Sequence, residues 1–171
     1  NMLNAKYIIY NPEAPPLLNS RALGNVWFAE TPIFVNNANE ELSRINTLDP
    51  ASEAVIDKRF RNLIAGTSFP VKENETIELK SYKPNELLYK SVAETEKLAV
   101  FSEIYYPAGW RCFIDGTETT HFRANYVLRA MIVPAGEHEI RFVFEPDSYY
   151  KGNKVSLASS ILLFLLLAGY L

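Results

Sequence analysis

Cysteine is almost missing from this chain. Cys112 is the single one, so no internal disulfide can staple the fold, and its place inside a strand-like run reads as that of a small buried hydrophobe. Glycine is scarce too, at 7 of 171 residues, while hydrophobic residues reach 48% and aromatics 13%, which excludes a disordered or low-complexity chain. No glycine-rich phosphate loop, GxSxG elbow, HExxH or CxxC occurs. The only two histidines, His121 and His138, have no carboxylate at a recurring ligand spacing, so neither a metal nor a cofactor is expected. A net charge of −3, with no basic cluster beyond Lys58-Arg59-Phe60-Arg61, argues against nucleic acid as a partner. No secretory signal opens the chain: Asn1-Met2-Leu3-Asn4 leads straight into the strand-like Lys6-Tyr7-Ile8-Ile9-Tyr10, the pattern expected of a piece cut from a longer protein.

What is present is organised around residues 103–146. Trp110 to Ile114 is a short apolar run ending at Asp115-Gly116, a strong hairpin signal because a type I′ turn needs positive φ at both central positions. The chain is expected to return from Phe122 to Val133, with Tyr126, Leu128, Ala130 and Ile132 on one face and Val127, Arg129, Met131 and Val133 on the other. Pro134-Ala135-Gly136 then turns it into a strand on which Ile140, Phe142 and Phe144 point inward and Glu139, Arg141 and Glu145 outward. Together these predict a β-meander, with Leu98, Val100, Ile140, Phe142 and Phe144 fully inside and Tyr106 and Trp110 at the edge.

Upstream, residues 6–10 and 25–29 read as strands, and Pro32 demotes Thr31 to Val35 to an edge or connector. Asn37 is a candidate N-cap with Glu40 three residues on, opening a short helix whose expected apolar stripe is Leu42, Ile45 and Leu48 and whose stop is Asp49-Pro50. Ala54 to Ile56 is a brief strand and Lys58 to Asn62 a polar connection. From Thr76 onward about six strands follow at sandwich spacing, among them Leu98 to Tyr106, apolar on both faces as a central strand would be. The expected class is therefore mostly β (α+β): a small α/β portion over 1–70, a β-sandwich or jelly-roll-like domain over 71–150, and a hydrophobic helix over 151–171. Val155 to Leu171 carries no charge and is shorter than the roughly 20 residues of a membrane span, so it reads as a transmembrane helix cut short; a buried core helix or strand is the alternative.

Three groups of side chains are candidates for chemistry. Tyr105, Tyr106 and Trp110 flank Pro107-Ala108-Gly109 and either form a platform for stacking on a sugar or cap the core. Arg111, Arg123, Arg129 and Arg141 recur on expected outward faces, solvated, paired, or sharing an anion such as a phosphate of a lipid-linked sugar. Glu103, Asp115, Glu118 and Glu145 surround the meander, and two carboxylates held roughly 5 to 10 Å apart can hydrolyse a glycoside. Asp115 is already explained as a turn residue and Glu145 as a strand end before proline, so no catalytic residue is assigned. Tyr105, Tyr106, Trp110 and Arg123 stand as the candidate ligand contacts.

The order SEIYYPAGW, a strand ending IDG, RANYVLRAMIVPAGEHEIRFVFEP and then a hydrophobic helix resembles the C-terminal extracytoplasmic domain of the YfhO-like family of bacterial polytopic membrane proteins. NMLNAKYIIY and LGNVWFAE resemble that family's preceding region, so the likeness spans nearly the whole chain and is most specific over residues 98–160. It implies a relation to integral-membrane glycosyltransferases that use polyprenyl-phosphate-linked sugars and whose catalytic acid lies near their N-terminal membrane helices, outside this sequence. The implied role is that of a non-catalytic accessory domain on the extracytoplasmic side of a bacterial cell membrane. Its partners would be the membrane part of its own full-length chain, the lipid bilayer, and a glycan or lipid-linked sugar. A purely structural module and a membrane-anchored carbohydrate-binding domain are the alternatives. Lys151 and Lys154 beside the span favour a cytoplasmic flank, but two lysines are a small bias and the extracytoplasmic side that the resemblance implies is the one expected.

Overall fold

In a computed structural model, residues 1–170 are described, and the chain is a β-sandwich followed by one long helix. In chain order the elements are β1 (Tyr7–Ile8), β2 (Leu17–Leu18), β3 (Val26–Ala29), β4 (Thr31–Val35), α1 (Ala38–Ile45), β5 (Glu53–Asp57) and a 3₁₀ helix (Lys58–Leu63). They continue with β6 (Thr76–Lys83), β7 (Glu86–Ala93), β8 (Lys97–Ile104), β9 (Trp110–Ile114), β10 (Thr117–Thr119), β11 (Phe122–Ala124), β12 (Leu128–Val133), β13 (Gly136–Phe144) and α2 (Asp147–Tyr170).

Two sheets face each other. One runs β10-β9-β13-β7-β6, the other β3-β8-β12-β11-β5-β4, and β1 and β2 form a separate hairpin. Between the sheets lies a core of Val26, Phe28, Leu87, Tyr89, Phe101, Cys112, Met131, Val133, Ile140 and Phe142. A second apolar layer covers the other face of the six-stranded sheet, where Trp27, Leu98, Val100, Phe122, Leu128 and Ala130 meet Ile64 and Phe69. That sheet is thus the middle layer. It explains why β8 is apolar on both faces: odd positions serve one core and even positions the other.

Local signals fold as read. Asp115 and Gly116 take φ of 49° and 80°, the I′ turn joining β9 to β10. Asn37 caps α1 by accepting from the Glu40 amide at 3.0 Å, while the Glu40 carboxylate reaches back to the Asn36 amide at 2.8 Å. β4, carrying Pro32, is an edge strand, parallel to β5.

Longer-range expectations change. Phe122 to Val133 is not one returning strand. The polar β10 stays at the solvent edge beside β9, and the chain then crosses at Thr120-His121 so that Phe122 and Ala124 can be buried in the other sheet. Asn125 and Tyr126, at φ 48° and 72°, reverse it again into β12. The meander is replaced by β9 and β13 paired directly, with β12 facing them from the opposite sheet. Arg129 consequently points into the sandwich and is buried, not outward. On α1 the expected stripe fails: Leu42 is 52% exposed, and the residue the helix buries is Glu41, because Arg123 and the Tyr126 amide satisfy that carboxylate. The helix also ends sooner, with Asn46 as its C-cap. Leu98, Val100, Ile140 and Phe142 are fully buried, but Phe144 is only half-buried where the sandwich opens. The six-stranded sheet draws β3, β4 and β5 from one side of residues 70/71 and β8, β11 and β12 from the other; β3, β8 and β12 feed both apolar layers, while β4, β5 and β11 feed the outer one.

The register defines two ends. The far end holds the β7–β8 and β12–β13 turns and the Asp115-Gly116 turn. The helix end gathers Ile104, Trp110, Leu128 and Phe144, and from it α2 departs after Glu145-Pro146. α2 has 24 residues, about 36 Å at 1.5 Å per residue, enough for a hydrocarbon core of about 30 Å. Every side chain from Asp147 to Gly169 is exposed, and the helix is long and apolar enough to cross a membrane.

Candidate functional site at the helix end of the sandwich

Two aromatic clusters and a buried arginine meet at this end. The segment Tyr106 to Trp110 curls over Phe144. Its turn bonds from the Gly109 and Trp110 amides to the Tyr106 carbonyl are 3.4 and 3.2 Å, and Glu145 N donates to the Gly109 carbonyl at 2.7 Å. Gly109 is required there, since a β-carbon would lie 2.3 Å from the Phe144 ring. Trp110 and Tyr106 both pack on Phe144, with ring centres 5.3 and 6.5 Å away, and Tyr106 is exposed. At the root of α2 a groove of about 370 Å³ is lined by Asn85, Phe144, Pro146, Tyr149 and Tyr150.

Beneath Trp110 sits Arg129, 1% exposed, its guanidinium 4.6 Å from the Trp110 ring centre and 4.5 Å from that of Phe142. Nη2 donates to the Ile104 carbonyl at 3.2 Å, while Nε and Nη1 have no protein acceptor. The Tyr89 hydroxyl and His121 Nε2 are also buried without partners. Burial and then the Arg129 charge push the His121 imidazole down to about 4, so it is neutral at pH 7. Burial pushes the Cys112 thiol up to about 12, which leaves it protonated and unreactive. Burial raises Glu103, with Arg129 pulling it the other way. The chemical capacity here is that of a desolvated cation between two ring faces.

Tyr105 and Arg123 lie in the second cluster. Tyr105 is half-buried, edge-on to Phe60 at 6.0 Å and to His121 at 5.4 Å. Burial raises its phenol, and the charges of Arg59 and Arg123 lower it. Arg123 Nη2 pairs with Glu41 at 2.7 Å and reaches Asp57 at 4.0 Å, while its guanidinium lies 5.8 Å from the Tyr126 ring centre. Of the four candidate contacts, then, Tyr106 and Trp110 share Phe144, Tyr105 packs elsewhere, and Arg123 has its charge answered within the chain. Asn125 fixes the turn beside them: its Oδ1 accepts from Val55 N at 2.8 Å and its own amide donates to the Val55 carbonyl at 2.8 Å.

The four carboxylates disperse. Arg111 brings two of them together, taking Glu118 on Nε at 2.9 Å and Nη2 at 2.5 Å and Glu145 on Nη1 at 3.1 Å, which holds Glu118 below its ordinary range. Asp115 instead bonds His138 Nδ1 at 2.6 Å at the far end, with Glu103 near Arg129. Among the described residues no three His, Cys, Asp or Glu side chains gather as metal ligands would. Glu41 and Asn125 carry no signal in the sequence that marks them as site residues; Arg129, expected with the other arginines on an outward face, is instead buried, because its strand pattern reads equally well either way. No protein-family model, curated protein or solved structure matches the chain.

Proposed function

We propose that this chain is a membrane-held, non-catalytic domain: a β-sandwich tethered by α2 and presenting its helix end to the bilayer and to the membrane part of a multi-spanning protein. The observation that carries the reading is α2 itself, 24 residues following directly on the sandwich, with every side chain from Asp147 to Gly169 exposed. A contiguous apolar surface of that size is not tolerated in water and requires a lipid or protein environment. The finer reading, an extracytoplasmic accessory domain linked to glycosyl transfer onto cell-envelope polymers in bacteria, rests on the YfhO-like resemblance over residues 98–160. The test is fractionation of cells expressing the chain and a variant lacking residues 155–171. The full chain is expected in the membrane fraction, resistant to alkaline carbonate, and the variant in the supernatant with its β-sheet circular dichroism intact. A full chain that is folded and soluble without lipid or detergent overturns the proposal.

A further inference from the structure

The hairpin β1–β2 is unlike the rest of the fold. Tyr7, Ile8, Ile9, Tyr10, Leu17 and Leu18 are each between 50% and 72% exposed, and neither strand buries a residue. A two-stranded hairpin alone is marginal in water, and this one turns its apolar side chains outward. Its base, by contrast, is pinned. Ser102 Oγ donates to the Met2 carbonyl at 2.5 Å, Asn4 Nδ2 to Asn25 Oδ1 at 2.9 Å, and Leu23 N to the Asn1 carbonyl at 3.2 Å, with Met2 and Leu23 packed on the outer core layer.

Those anchor points place the hairpin at one end of the molecule. Val26 pairs with Phe101 and Ser102 N donates to the Asn25 carbonyl, so the segment preceding β3 sits where β8 finishes. The same end receives Trp110 opposite Phe144 and sends out α2. It also carries exposed Tyr82, Ile104, Tyr106, Tyr149 and Tyr150. At the far end the turns carry Glu94, Glu96 and Asp115, Glu137 lies at the start of β13, and Val92 beside it is an exposed large apolar side chain. Charge follows the same division. Around the hairpin Lys6 and Arg21 outnumber Glu13, and at the start of α2 Lys151 and Lys154 outnumber Asp147, although the chain as a whole carries −3.

We infer that β1–β2 is a second membrane contact, an interfacial hairpin that lies in the headgroup region of the leaflet α2 enters and holds the sandwich end-on against it. The occupant is lipid. The hairpin sits at the same end of the sandwich from which α2 departs toward a bilayer. Its tyrosines suit the headgroup level, where an apolar ring and a polar hydroxyl are both satisfied, and its small basic excess suits anionic lipid. The inference rests on the proposed membrane tether, so its test reads the two separately.

The full chain is reconstituted into vesicles of phosphatidylcholine and phosphatidylglycerol, with a nitroxide on a single introduced cysteine: Ile9→Cys, Leu18→Cys, Val92→Cys or Leu162→Cys. Cys112, buried and protonated, stays unlabelled. Accessibility to oxygen, which concentrates in lipid, is compared with that to a water-soluble nickel chelate. Oxygen is expected to dominate at 162, 9 and 18 and nickel at 92. Lipid contact at 162 with positions 9 and 18 behaving like 92 overturns the hairpin inference and leaves the tether standing. Water exposure at 162 overturns the tether. Positions 9 and 18 shielded from both reagents identify a protein surface as the occupant and also overturn the lipid assignment.

Discussion

Lys97, the first residue of β8, is a lysine with a side chain that is 0% exposed, and its partner Glu75 is 1% exposed. All three ammonium protons are used: Glu75 Oε2 accepts at 2.6 Å, Thr95 Oγ1 at 3.0 Å, and the Pro70 carbonyl takes the third. Glu75 in turn accepts from the Lys72 amide at 2.7 Å and the Glu94 amide at 2.8 Å. Removing one partner of such a pair strands the other charge in a site that water does not reach, at a cost of about 3–5 kcal/mol. Lys97→Met should therefore lower the melting temperature by about 10 °C, given about 2–4 °C per kcal/mol for a domain of this size. Lys97→Met/Glu75→Gln leaves no uncompensated charge, and the two changes should couple by about 2–3 kcal/mol, the double loss falling short of the sum. Urea unfolding in non-ionic detergent, followed by the fluorescence of Trp27 and Trp110, measures the free-energy loss and the coupling, and a thermal scan in the same detergent measures the shift in melting temperature. The pair also has a pH signature. Burial would raise Glu75, but the Lys97 hydrogen bond and the two backbone amides overcome it and bring the carboxyl down to about 2 from 4.5. A depressed folded value means a contribution complete above the ordinary carboxylate range and lost as pH falls toward about 2. Lys97→Met should remove most of that acid sensitivity. A loss below about 1 kcal/mol for the single variant, or simple additivity in the double, would refute the reasoning.

Phe142 lies edge-on to Phe101 at 5.0 Å and to Tyr89 at 6.1 Å with no exposed surface, so Phe142→Ala should lose about 3–5 kcal/mol in the same assay; a loss below about 1 would remove it from the core. His138 presents one ring nitrogen to Asp115 and the other to the Ala135 carbonyl, and the Asp115 hydrogen bond raises the imidazole while lowering the carboxyl. The raised histidine stabilises fully below its ordinary value and loses that contribution as pH rises through the folded one; the lowered aspartate contributes above its ordinary value and fades in acid. The melting temperature of the wild type relative to His138→Gln should thus peak between those limits, and a flat difference from pH 4 to 9 would show the pair to be passive.

Much of the local structure was legible because it is written in neighbouring residues. Asp115-Gly116 specifies a turn by its backbone preference, Asn37 and Glu40 cap a helix reciprocally, and the alternation of Ile140 and Phe142 with Glu139 and Arg141 sets a strand face. What the residues alone do not state is which sheet a strand joins. β12 has an apolar side chain at five of its six positions, and the remaining one, Arg129, reads as a solvent residue only if that strand has a wet face. With a core layer on each side it has none. The same ambiguity hid Glu41: a charge in the first turn of a helix ordinarily faces water, and its burial depends on Arg123 arriving from β11 across a sheet. Residues 6–10 read as an ordinary strand, since sequence does not reveal that its hairpin with Leu17–Leu18 leaves its apolar side chains exposed.

The sandwich contains two buried cations, and they differ in how they are held. Lys97 at the far end has every donor matched and a carboxylate in contact. Arg129 at the helix end has one carbonyl acceptor, two ring faces and two nitrogens without protein partners. Two desolvated cation–π contacts, at about 2 kcal/mol each, offset a burial penalty of several kcal/mol without clearly exceeding it. The Glu103 carboxylate nearby adds a further favourable charge contact, so the burial of Arg129 is matched in part where that of Lys97 is matched in full. Polar groups that stability does not fully explain tend to gather where a protein works, and here Arg129 lies between Trp110 and Phe142, with Tyr89 and His121 packed edge-on to the same Phe142 ring. Under the proposed arrangement the far end, closed by ion pairs, keeps the two sheets in register. The helix end keeps Arg129 behind one layer of aromatic rings, on the side turned toward the membrane.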